Sequence, residues 1–221
     1  MHLDVIRMVL AAMLAVLCAS ASAADQGSLA ETLLFENDHL RGIHEPLSLH
    51  YAFETRGSLE PEYRDTVEVT VETAADGGKR VSTRYFSGAR QRDFPEIEHA
   101  RGNPVLLYFL DRDIRQMQRL TGAYSRYFQQ RIRFALADKA EVRPVLFRYN
   151  GAETGGREIR IAPYADDPNN ARYRALAGKY YVFVLSDAIP GGVYQVRTVV
   201  PGGADGVLME ETLTFQYASA R

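Results

Sequence analysis

Residues 103–122 read NPVLLYFLDRDIRQMQRLTG, and their period differs from that of the sequence on either side. Asn103 suits a helix N-cap, and Pro104 suits the first helical position, where its missing N–H would have had no partner anyway. Leu106, Leu110, Ile114 and Met117 then recur at helical spacing, and Gly122 can end the run in a left-handed cap. A second helix is expected from Tyr124 to Ala137, with Tyr127, Phe128, Ile132 and Leu136 on its apolar side. The spacing predicts a helical hairpin set between two blocks of strands.

Outward from this hairpin the period falls to two. Leu47, Leu49, Tyr51 and Phe53 alternate with Ser48, His50, Ala52 and Glu54, as in a half-buried strand. Val67, Val69 and Val71 repeat the pattern, and a third strand runs less cleanly from Lys79 to Ser87. Asp76-Gly77-Gly78 accepts positive φ, so these last two strands form a hairpin. After the helices, strands are expected at 142–149, 158–163, 180–186, 193–200 and 207–217, with Pro190-Gly191-Gly192 turning one pair. Asp166-Asp167-Pro168-Asn169-Asn170 reads as a loop leading into a short helix through Leu176. Strands before and after a helical pair give the α+β class, with a curved, largely antiparallel β-sheet.

The amino terminus carries a different kind of information. Arg7 precedes an apolar run from Met8 to Leu17, and Ala21-Ser22-Ala23 ends it with small residues, the three parts of a cleaved signal peptide. A membrane anchor needs about 20 apolar residues, and this run has about half of that. Cleavage after Ala23 is expected, leaving 24–221 as one α+β domain in the periplasm with no transmembrane span. Cys18 raises lipid modification as a rival, but Leu17 stands where a lipoprotein signal has Ala or Gly. The mature chain then has no cysteine, so its stability rests on its core alone. Just beyond, Ser28 and Glu31 have the spacing of a capping box that opens a short helix to about Glu36.

The net charge of −2, with 26 Lys and Arg against 28 Asp and Glu, is no signature of nucleic-acid binding. Neither GxxxxGK[ST] nor GxGxxG appears, and no cofactor is expected. Ser87 and Ser186 lack the GxSxG elbow of a hydrolase nucleophile, and Glu68 and Glu72 share a strand face as ordinary exposed acids do. His39, His44 and His50 lie close in sequence without the spacing of a zinc site, and His50 is expected to face solvent. Asp166 and Asp167 lack the order and closing glutamate of an EF-hand, so a plain turn is expected.

The least ordinary feature is the six arginines of the helical pair. Arg112, Arg115 and Arg119 share one helix face, which could meet anionic lipid headgroups, lipopolysaccharide phosphates or an acidic partner; the plain alternative is a solvated face, or pairing with Glu68 and Glu72. Thirteen tyrosines and ten phenylalanines, with no tryptophan, could line a cavity for an amphipathic ligand or simply pack a core; Tyr180, Tyr181 and Phe183 occupy both faces of one strand, as a curled sheet requires.

The order of export signal, strands, helical hairpin and further strands resembles the half-barrel proteins that carry lipoproteins or lipids across the bacterial periplasm. That resemblance implies a curved sheet around an apolar cavity plugged by helices, and no functional residue is carried over from it. The chain also resembles uncharacterised exported bacterial proteins, which supplies a compartment without a chemistry. Two readings stand side by side: a non-catalytic protein holding an apolar or amphipathic ligand, and a structural or assembly factor of the envelope acting through its Arg-rich helical face. A hydrolase whose site is assembled from distant loops is the third.

Overall fold

Alternating apolar and polar residues become one antiparallel sheet in the computed structural model, which describes residues 28–169, 176–202 and 206–221. The expected signal peptide, with Cys18 and the expected cleavage after Ala23, lies outside the described residues, as does most of the short helix expected before Leu176. The strands are β1 (Leu47–Gly57), β2 (Tyr63–Thr73), β3 (Lys79–Tyr85), β4 (Arg92–Asp93), β5 (Glu141–Tyr149), β6 (Ala152–Ile161), β7 (Tyr180–Leu185), β8 (Val193–Pro201) and β9 (Val207–Ala220). Their order is β4-β3-β2-β1-β9-β8-β7-β6-β5. Two meanders are thus joined where β1 meets β9, from Leu47 opposite Ala220 to Gly57 opposite Met209.

Turn chemistry accounts for the hairpins. Gly77, at φ 85°, turns β2 into β3, with the Asp76 side chain accepting from the Gly78 N–H at 2.9 Å. Gly191 and Gly192, at φ 77° and 73°, turn β7 into β8. The β5–β6 hairpin is longer than the sequence reading, which began the second strand at Glu158. Asn150 and Gly151 both take positive φ, 49° and 79°, which suits a two-residue hairpin turn, so pairing starts at Tyr149 opposite Ala152. Gly156 lies where an added Cβ would come within 2.6 Å of the Leu185 carbonyl oxygen, so this close crossing requires glycine.

The sheet curls. Strands β5 and β9 stand four apart in the order, about 19 Å in a flat sheet, yet the Tyr149 and Phe215 rings are 5.7 Å apart. The two helices lie inside the curve. The first helix, α1 (Leu29–Glu31), opens with the expected capping box and continues as a π turn, Thr32–Glu36. Helix α2 runs Val105–Thr121 and α3 runs Ser125–Asp138. Asn103 Oδ1 accepts from the Val105 N–H at 3.2 Å, and Gly122 closes α2 at φ 70°, both as the sequence indicates. Leu106, Leu110, Ile114 and Met117 are buried against the sheet with Phe53, Val67 and Leu213, each such side chain contributing about 1.5–3 kcal/mol of apolar transfer. Strand β7 is buried on both faces from Tyr181 to Leu185, as a strand within a curl must be.

Candidate functional site

Helix α2 carries polar residues on its inner side as well as apolar ones. Asp113 and Gln116 fall on the stripe between Leu110 and Met117, and both are buried. Asp113 meets Lys179, which immediately precedes β7. Lys179 Nζ donates to Asp113 Oδ1 at 2.5 Å, Tyr181 donates to Asp113 Oδ2 at 2.6 Å, and both members of the ion pair are fully enclosed. Tyr164 reaches the Tyr181 hydroxyl at 3.5 Å. Burial is the main reason that Tyr164 and Tyr181 are pushed well above the usual tyrosine value, with the Asp113 charge acting in the same direction.

A second cluster lies beside it on the same helix, built on Arg112, the residue before Asp113, and on Gln116. Arg112 grips Glu211 of β9 with both ends of its guanidinium, at 2.7 and 2.8 Å, and donates to the Tyr63 hydroxyl at 2.9 Å. Its guanidinium also stands 4.6 Å over the Phe53 ring. Gln116 donates to Glu211 at 2.9 Å and to Glu60 at 2.7 Å. Burial alone would raise the Glu211 carboxyl, but the charge and hydrogen bonds of Arg112, aided by Lys179 and Gln116, outweigh it and hold the value below the ordinary glutamate one. For Arg112 burial works against the charge, and Glu211 more than restores it.

The three arginines of the α2 face are therefore not equivalent. Arg112 turns inward, its side chain only 17% exposed, and its partner Glu211 is completely covered. Arg115 pairs with Asp111 one turn back at 2.8 Å, and Arg119 pairs with Glu60; both remain exposed. Their partners are neither Glu68 nor Glu72. Those two acids lie on the outer face of the sheet, where Glu68 binds Arg84 and Glu72 binds Arg80 and Arg221.

All three arginines nevertheless line one groove, about 570 Å³ in volume, between α2 and the β3–β4 end of the sheet. Tyr63, Phe86, Phe94 and Tyr108 give it an aromatic wall, in which Phe94 and Tyr108 stack at 3.7 Å. Arg90 and Arg92 join the rim, Arg90 lying 4.3 Å over the Tyr63 ring. Strand β4, which has only two residues, places Arg92 opposite Tyr85, so both side chains share a sheet face. The sequence reading lacked this strand and with it these two arginines. A strand so short leaves no alternation to read.

A second groove, about 760 Å³, lies between the 37–43 loop and the 186–192 turn, with the exposed Arg41–Asp187 pair beside it. It lacks the aromatic wall. His39 serves structure here: it accepts the Asn103 N–H at Nδ1 and its Nε2 donates to the Leu33 carbonyl, while burial lowers its pKa. His50 lies on the outer face of the sheet opposite Glu68, as expected, and is half-buried there because it stacks on Tyr217 at 4.4 Å and bonds to Ser219. In the 166–170 loop, Asp166 binds Lys139 at 2.6 Å and Asp167 binds Tyr127 and Arg131.

No family model matches the chain, and no curated protein matches it. Among solved structures it is similar to MucB in complex with MucA(peri), at 13% identity and a TM-score of 0.42, over 89% of this chain and 57% of that one. It is also similar to the Mycobacterium tuberculosis lipoprotein LppX, at 10% identity and a TM-score of 0.34, over 85% and 91% of the two chains. A LolA-superfamily protein from Nitrosomonas europaea is 12% identical with a TM-score of 0.25, over 87% and 93%. The chain thus spans little more than half of the MucB chain, and all three likenesses are weak resemblances in outline.

Proposed function

We propose that this is an exported, periplasmic, non-catalytic binding protein whose groove between α2 and the β3–β4 end holds an amphipathic ligand with an anionic head. The observation that carries the reading is the pairing of an aromatic wall, Tyr63, Phe86, Phe94 and Tyr108, with a rim on which Arg90 and Arg92 have no carboxylate partner among the described residues. Aromatic side chains offer apolar area to a chain or ring, and an unpaired guanidinium offers charge-assisted hydrogen bonds to a phosphate or carboxylate.

The test is mass spectrometry of an organic extract from the natively purified protein, paired with titration of delipidated protein by a short-chain anionic phospholipid. Bound lipid in the extract, and weaker binding by an Arg90→Gln/Arg92→Gln variant that melts like the wild type, are expected. Salt must weaken the contact as the Debye length shortens from about 30 Å at 0.01 M to about 8 Å at 0.15 M. An extract free of lipid, with equal titration by anionic and neutral lipid, would overturn the reading.

A second reading is an envelope assembly factor that meets an acidic partner through Arg115 and Arg119. The side chains of both stand more than half exposed on one flank of α2, which favours it. It predicts that Arg115→Gln/Arg119→Gln abolishes capture of an acidic envelope protein, whereas Arg90→Gln/Arg92→Gln leaves that capture intact.

A further inference from the structure

We infer that the floor of the arginine-rimmed groove is a hydroxyl-reading subsite, so that its ligand is a hydroxylated phosphate ester of the glycerophosphate kind and not a plain anionic acyl chain. The inference rests on the groove being the ligand site. It is carried by two enclosed polar groups, on residues that line this groove, with no hydrogen-bond partner among the described residues: the Tyr85 hydroxyl and Gln116 Oε1. Their residues are 1% and 2% exposed. Buried polar atoms are almost always paired, so two orphans on one groove require an explanation.

Their chemistry selects the guest. Burial raises the Tyr85 phenol far above its usual value, so it stays neutral and able to donate. Gln116 spends its amide hydrogens on Glu60 and Glu211, which leaves Oε1 as an acceptor in need of a donor. A phosphodiester could accept from Tyr85, but it has no hydrogen for Gln116. An alkyl chain satisfies neither. A hydroxyl group satisfies both, accepting from the phenol and donating to the amide oxygen. The anion belongs on the rim, at Arg92, which lies opposite Tyr85 across the β3–β4 ladder, and at Arg90. One small headgroup bearing a phosphodiester and neighbouring hydroxyls can reach both.

The probes are dihexanoyl-phosphatidylglycerol and dihexanoyl-phosphatidylmethanol, which share the phosphodiester charge and acyl chains and differ in the hydroxyls, titrated calorimetrically into the exported protein. Wild type should bind phosphatidylglycerol about tenfold more tightly, the order expected when a built hydrogen-bonding site meets an analogue lacking the group. Tyr85→Phe keeps the ring in its packing and removes only the hydroxyl. It should bring the two affinities together while binding phosphatidylmethanol as wild type does and melting at the same temperature. A soluble arm with sn-glycerol 3-phosphate separates the sources: affinity matching the lipid assigns the site to a free phosphate ester, and much weaker affinity assigns it to a lipid headgroup. Equal binding of both lipids by wild type, or an undiminished preference in Tyr85→Phe, overturns the hydroxyl subsite and leaves the groove reading in place. Binding of neither lipid, nor of glycerol phosphate, overturns both.

Discussion

On the outer face of the sheet Glu68 pairs with Arg84 and Glu72 with Arg221, in water and with arginines more than half exposed. On the inner face Glu211 pairs with Arg112 and Asp113 with Lys179, and three of those four side chains are completely covered. The partners are chemically alike and the consequences are not. Exposed pairs gain about 0–1 kcal/mol because water screens the attraction and the long side chains lose freedom. Enclosed pairs have already lost their hydration, so the attraction mostly repays that loss and neither partner can be spared. The outer rows keep the convex face soluble. The inner pairs lock α2 to β9 and β7, and thereby hold the wall on which the groove is built.

The largest effect should come from breaking an inner pair. Arg112→Gln leaves Glu211 enclosed without a counter-charge and should cost about 3–5 kcal/mol, measured by urea denaturation. A loss below about 1 kcal/mol would mean that the two faces do not differ as described. Replacing both members of the other pair sharpens the point. Lys179→Met alone should be strongly destabilising, whereas Asp113→Leu with Lys179→Met should recover most of that loss. The Tyr181 hydroxyl, which donates to Asp113, is then the group left without a partner.

Acid provides a milder probe of the same contrast. The folded Glu211 value lies below that of the unfolded chain, so its contribution is fully present above about pH 4.5 and is lost as pH falls through the folded value. Glu211→Gln should flatten the fall in urea midpoint on acidification. In alkali the sign reverses. Tyr51, Tyr85, Tyr164 and Tyr181 are raised by burial, and Tyr127 is pushed up to about 12 by burial and by its bond to Asp167. Their stabilisation is intact below about pH 10 and is lost above it. The tyrosinate absorbance contributed by the four enclosed tyrosines should therefore appear in step with unfolding. The smallest effect belongs to the outer face, where Arg84→Gln should change stability by no more than about 1 kcal/mol.

Much of this architecture could be read locally. The helix signals at Asn103 and Gly122, the period-two runs of β1 and β2, and the turns at Gly77 and Gly191 all came out as expected, because each depends on residues within a few positions. The inner charges left traces that went unread. Glu211 stands in phase with Met209 and Leu213, both inward, and Asp113 lies three residues after Leu110 and four before Met117, on the apolar stripe. Its position on the helix places Asp113 inside.

Sequence by itself determined the α+β class, the β2–β3 and β7–β8 hairpins and the helical hairpin, since alternation, capping and positive-φ glycines act over a few residues. Only the tertiary structure decided which charges are enclosed and which are wet. Arg112 and Glu211 are 99 residues apart, and Lys179 and Asp113 are 66 apart. They meet because β1 pairs with β9 and the curl folds α2 onto both meanders. The groove has the same origin: α2, the 3₁₀ turn at Gly88–Arg90 and β4 each carry part of it. No local period encodes a surface assembled from segments that approach one another only once the sheet has curled around its helices.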